Sequence, residues 1–165
     1  MAQIDEAGRF ADWARPSVLA MTRLARRLAP GGEVEDVVQD SLVRGWLKWS
    51  QYDPDRGSAT VWLLAITADQ ARSARRSQVR SLQVVDNRAD VPDVATADAA
   101  PDLDLDRAIG QLAERQQLVV QLHYFLGLTV AETAAVMGCS AGTVKSTLFD
   151  ARARLRRLLG DDDGH

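Results

Sequence analysis

The sequence predicts an all-α protein made of two small helical domains joined by a flexible linker. Three observations carry this. Apolar residues recur at steps of three and four in two separate blocks of the chain. No stretch alternates with period two long enough to build a sheet. Between the blocks, "VVDNRADVPDVATADAAPDLD" is rich in Asp, Ala and Pro and too polar to bury a core of its own. The expected boundaries are 1–80 for the first domain, 81–104 for the acidic linker and 105–165 for the second domain.

In the first domain, Val18, Met21, Ala25 and Leu28 define one apolar stripe, which "APGG" interrupts. Val34, Val37, Val38, Leu42 and Trp46 define the stripe of a second helix. Its other side carries Glu35, Asp36, Gln39 and Asp40. "YDPDRGS" is turn-forming, and "ATVWLLAITADQARSARRS" follows as a third helix with a basic end. A bundle of three or four helices is the expected product.

In the second domain, Ile109, Leu112, Leu118, Val119, Leu122 and Phe125 mark an amphipathic pair of helices, which Gly127 ends. Thr129 and Glu132 have the spacing of a capping box, in which each side chain covers a free backbone N–H. A short helix runs to Met137. Gly138 then allows a left-handed turn and Ser140 caps the last helix. Val144, Leu148, Ala151, Leu155 and Leu158 give that helix a continuous apolar face. Helix, Gly-containing turn and helix together form a helix-turn-helix. Off the apolar stripe lie Thr143, Lys145, Ser146, Thr147 and Phe149, where a recognition helix meets base edges and phosphates. Arg152, Arg154, Arg156 and Arg157 follow as phosphate contacts.

The net charge of -3 does not itself suggest nucleic acid, but a whole-chain sum hides segregated charge. The single cysteine, Cys139, excludes an internal disulfide and any multi-cysteine metal site. No apolar run approaches the roughly 20 residues that span a bilayer. "MAQIDEAGRFADWARP" lacks the basic start and apolar core of a signal peptide, so an intracellular protein is expected. His123, on an apolar helix, reads as a packed histidine. No catalytic triad, phosphate loop or metal cluster is present in the sequence, so neither an enzyme nor a cofactor is expected.

Taken together, "VEDVVQDSLVRGW", "YDPDRGSATVWLLAI" and "AGTVKSTL", in this order, resemble a bacterial RNA polymerase sigma factor of the extracytoplasmic-function group in the sigma-70 family. The resemblance covers both domains, as region 2 and region 4. It implies a promoter-specificity subunit whose second helix docks on the clamp of the largest polymerase subunit through Glu35, Asp36, Gln39 and Asp40. Region 2 would then recognise and open the −10 element, with Arg56, Ser58 and Thr60 in the loop, Trp62 at the helix start, and Arg72, Arg75 and Arg76 on the DNA backbone. Trp62 also reads as a core residue. Region 4 would hold the −35 element through Ser140, Gly142, Thr143, Lys145, Ser146, Thr147, Phe149, Arg152 and Arg154, and meet the polymerase flap. An anti-sigma factor is the partner the family implies. The expected location is the cytoplasm, with any membrane tether indirect, through the anti-sigma factor, and without direct insertion.

The chain departs from the family pattern. Arg is common at the positions of Thr147, Asp150 and Gln117, Asn at that of Asp69, and basic residues near Ala68. An acid in place of an arginine beside phosphate removes an attraction and adds a repulsion, so an altered −35 preference is expected. Two rivals stand beside this reading. One is a plain helix-turn-helix regulator, which accounts only for the second domain. The other is a degenerate sigma-like protein that titrates a partner.

Overall fold

Helices account for nearly all of the regular structure in the computed structural model, which describes residues 2–29, 31, 33–84 and 102–160. The chain divides into two compact units. In the first, α1 (Ala2–Ala14) passes through a 3-10 turn at Arg15–Ser17 into α2 (Val18–Leu28). Pro16 is the second residue of that turn, an early position where a missing N–H costs little. Helix α3 (Val34–Lys48) and short 3-10 turns at Trp49–Gln51 and Pro54–Arg56 lead to α4 (Ala59–Val84), which is 26 residues long. The first unit is thus a four-helix arrangement in which α2 and α3 both pack on α4.

The predicted stripes face the core. Met21, Ala25 and Leu28 are buried, as are Val37 and Val38, and so are Val61, Leu63, Leu64, Ala68 and Ala71 of α4, on which both helices pack. Val34, Leu42 and Trp46 are half-buried. Gly45 sits in a tight place. A Cβ there would stand 3.0 Å from Leu63 Cδ2 and 3.3 Å from Phe10 Cζ, so its absence lets α3 approach both neighbours. The sequence did not single out α1. Its Phe10 and Trp13 join Trp46, Trp49, Tyr52 and Trp62 in a continuous cluster of rings, with centroids 4.9–6.1 Å apart. Mostly tilted or edge-to-face pairs of this kind each add about 0.5–1.5 kcal/mol beyond the area they bury. Such pairing joins the end of α1, the end of α3 and the start of α4.

In the second unit, α5 (Leu103–Gly110), α6 (Glu114–Val120) and α7 (Val130–Met137) each pack against α8 (Ala141–Gly160). Ile109, Leu112, Val119, Val120, Ala134, Val144, Leu148 and Ala151 form its core, with Leu155 and Cys139 partly buried against it. Phe125 departs from its expected place on the apolar stripe and is 39% exposed. The cause is a wider π turn over Gln121–Phe125, closed by Leu126 N–H donating to Gln121 O at 3.0 Å. It shifts the helical register at Phe125 away from that of Leu118 and Leu122.

Helix α4 continues to Val84, past the expected boundary at 80, and α5 begins at Leu103. The rest of the acidic linker, 85–101, and the acidic tail, 161–165, lie outside the described residues.

Candidate nucleic-acid and partner interfaces

On α3 the 3.6-residue period that turns Val37 and Val38 inward turns Glu35, Asp36, Gln39 and Asp40 out to solvent. Among the described residues none of the three carboxylates Glu35, Asp36 and Asp40 forms an ion pair. Val43 and Leu47 continue the same side of the helix at steps of three and four, 57% and 70% exposed. Neither belongs to a motif that singles it out in the sequence. Their spacing from Asp36 and Asp40 was the available signal, because it places them opposite the buried stripe. The result is a surface with acids at one end and uncovered aliphatics at the other, suited to a partner with arginines beside an apolar groove.

The loop before α4 holds the next group. Arg56 is exposed at the end of its 3-10 turn. Ser58 Oγ accepts from Val61 N–H at 3.2 Å and so caps α4. Thr60 is half-buried, with its hydroxyl 2.8 Å from that of Ser17. Trp62 is half-buried in the aromatic cluster, 5.9 Å from Trp13 and 5.6 Å from Tyr52 between ring centroids. Tyr52 also donates its hydroxyl to Gly57 O at 3.1 Å, which steadies the loop. Thr60 and Trp62 therefore hold the loop to the bundle, and Arg56 is the group that reaches outward.

Farther along α4, Arg72 donates to Asp69 at 2.7 Å, while Arg75 is half-buried and Arg76 exposed. The Arg72–Asp69 pair is one helical turn long and its carboxylate is largely exposed. Such a pair is worth about 0.3–0.5 kcal/mol, so Arg72 can leave it for a phosphate at small cost. Ala68 is fully buried against the bundle, which explains why no basic residue stands there.

In the second unit the helix-turn-helix forms as its local sequence dictates. Thr129 N–H donates to Glu132 at 2.8 Å, and Glu132 N–H donates to Thr129 Oγ1 at 3.1 Å. Gly138 takes φ 64°, a left-handed conformation that costs other residues about 1 kcal/mol or more. Ser140 Oγ accepts from Thr143 N–H at 3.1 Å and lies 2.9 Å from Thr143 Oγ1. Val144, Leu148 and Ala151 bury one side of α8. Ser140, Gly142, Lys145, Ser146, Phe149, Arg152 and Arg154 are exposed, and Thr143 and Thr147 half-buried. Thr147 and Ser146 both donate their hydroxyls to Thr143 O, at 2.7 and 3.0 Å.

Three further residues are accounted for by packing. Gln117 is buried, and its amide donates to Gly110 O at 3.1 Å and Leu112 O at 2.9 Å, closing the carbonyls at the end of α5. His123 Nδ1 lies 2.8 Å from Leu128 O, and Cys139 packs on the core. Among the described residues no group of side chains is arranged to hold a metal, and no helix is long and apolar enough to cross a membrane.

Comparison with known proteins agrees with both units. The family model for Sigma-70 region 2 matches residues 17–81, and that for Sigma-70, region 4, matches residues 102–155. An RNA polymerase sigma-E factor of Streptomyces avermitilis is 34% identical over 159 residues, covering 93% of this chain and 87% of that protein. An ECF RNA polymerase sigma factor SigK from a Mycobacterium species is 28% identical over 165 residues, covering 95% and 84%. Among solved structures, the sigma factor RpoE in complex with the anti-sigma factor NepR from Bartonella quintana has a TM-score of 0.73 at 26% identity, covering 92% of this chain and 97% of that one. CnrH in complex with the cytosolic domain of CnrY has a TM-score of 0.69 at 26% identity, covering 96% and 95%.

Proposed function

Because the chain belongs to the extracytoplasmic-function group of sigma-70 RNA polymerase sigma factors, we propose a division of its work between two separate surfaces. The observation that carries the proposal is their opposite charge. The α3 side presents Glu35, Asp36, Gln39 and Asp40, whereas α8 presents Lys145, Arg152 and Arg154. An acidic face repels DNA and attracts a basic protein surface, so α3 docks on core RNA polymerase, at the clamp of its largest subunit. A basic helix of a helix-turn-helix attracts phosphates, so α8 enters the −35 major groove.

Between them, Arg56 and Ser58, with Arg72, Arg75 and Arg76 along α4, meet the −10 element and help hold it open. Thr60 and Trp62 support this loop from behind. Residues 1–80 thus bind polymerase and the −10 element, residues 105–165 bind the −35 element and meet the polymerase flap, and the intervening segment connects them. The likeness to RpoE, solved in complex with the anti-sigma factor NepR, and to CnrH, solved with the cytosolic domain of CnrY, supports an anti-sigma protein that holds this chain inactive in the cytoplasm. A plain helix-turn-helix regulator does not account for the region 2 match over residues 17–81.

Run-off transcription with core polymerase and the purified chain tests the proposal. Promoter-dependent transcripts are expected only when both are present. Stoichiometric core binding without transcription from any promoter would instead indicate a titrating protein.

A further inference from the structure

Asp150 is the one acidic residue on α8, and it is exposed. Successive residues turn by about 100° along an α-helix. Opposite the buried Val144–Leu148–Ala151 stripe, the far side of α8 therefore carries Gly142, Ser146, Phe149, Asp150 and Ala153, with Arg157 two turns beyond Asp150 near the C-terminal end. Lys145, Arg152 and Arg156 lie on one flank and Arg154 on the other. A helix laid in a groove with this distribution sets its basic flanks against the two phosphate walls and its far side toward the base edges. Phe149 is 66% exposed on that side, and the nearby hydroxyls of Ser146 and Thr147 are turned back onto Thr143 O.

Arg154 follows Asp150 by four residues, the spacing of helical ion pairs, yet among the described residues no ion pair joins them. An unpaired carboxylate brought into a polyanion's groove is repelled unless it receives a donor. The donors on major-groove base edges are the amino groups of cytosine N4 and adenine N6. Adenine presents N7 beside its amino group, an acceptor that repels a carboxylate.

Resting on the reading of α8 as the −35 helix, we propose that Asp150 is a specificity residue that accepts a hydrogen bond from a cytosine amino group in the −35 element. Reconstituted holoenzyme, carrying the wild-type chain, Asp150→Ala or Asp150→Asn, is selected on promoters with a randomised −35 segment, and the bound DNA is sequenced. The expected result is a C·G preference of about tenfold or more at one position. Asp150→Ala should abolish it at that position alone. Asp150→Asn should move it toward adenine, which an amide can meet bidentately. Equal tightening by Asp150→Ala across all sequences would overturn the proposal, leaving the carboxylate as a phosphate repellent. No enrichment by any of the three proteins, despite core binding, would overturn the −35 reading and this inference with it. Enrichment by the wild type without a cytosine preference would overturn only the inference.

Discussion

The hydroxyls of Ser17 and Thr60 lie 2.8 Å apart across 43 residues of sequence, joining the start of α2 to the first turn of α4. Ser17 is 1% exposed, so its hydroxyl depends on that partner. Thr60→Val keeps the side-chain shape and removes the bond. It should cost about 1–3 kcal/mol by leaving a buried hydroxyl unsatisfied. Ser17→Ala combined with Thr60→Val should recover a large part of this loss, which urea denaturation of the four proteins in a double-mutant cycle would show. Additive losses would mean that the two hydroxyls do not depend on one another.

Gln117 closes the end of α5 through Gly110 O and Leu112 O. Gln117→Met has nearly the same volume and no donor. It should lower the stability of the second unit by about 1–3 kcal/mol. Amide hydrogen exchange across residues 102–160 would locate the loss in that unit.

Asp36 and Asp40 are exposed and unpaired among the described residues, so reversing their charge should cost folding only about 1–2 kcal/mol, mostly from Asp36 in the first turn of α3. Binding to core polymerase should fall at least about tenfold in Asp36→Arg/Asp40→Arg, because attraction to a basic surface becomes repulsion. Competition binding measured beside a melting curve separates the two effects. Unchanged binding would remove α3 as the docking face.

Thr147→Arg/Asp150→Arg adds two positive charges and removes one negative charge on α8. Promoter binding should tighten at low salt, and log K should fall more steeply with log salt, by about 0.9 for each phosphate newly neutralised. A filter-binding series over ionic strength reads that slope directly. If Asp150 contacts cytosine, the same variant loses discrimination at that base while gaining affinity.

Those four sites differ in how far the sequence foretold them. Asp36 and Asp40 stand out because helical periodicity places them opposite Val37 and Val38, and nothing beyond one helix is needed to see it. Gln117 stood out only as a departure from a family pattern. Its role depends on Gly110 and Leu112, which the turn between α5 and α6 brings under its amide. The family resemblance places Thr60 in the −10 loop, and only the fold shows that its hydroxyl also meets that of Ser17. Helix α1 went unnoticed because its value lies in Phe10 and Trp13, which acquire partners only when α3 and α4 arrive.

By itself the sequence determined the helical class, the two separate blocks, the capping box of Thr129 and Glu132, the left-handed turn at Gly138 and the acidic side of α3. All of these follow from interactions within about four residues or from one helical period. Only the tertiary structure decided that Trp62 belongs to an aromatic cluster, that Gly45 makes room for Leu63 and Phe10, that Ser17 holds Thr60, and that Phe125 leaves the core at a π turn. Each of the first three joins residues distant in the chain, and a one-residue change of helical register moved the fourth. Packing selects such contacts from many that the sequence equally allows, because burial rewards apolar area and satisfied hydrogen bonds regardless of separation along the chain.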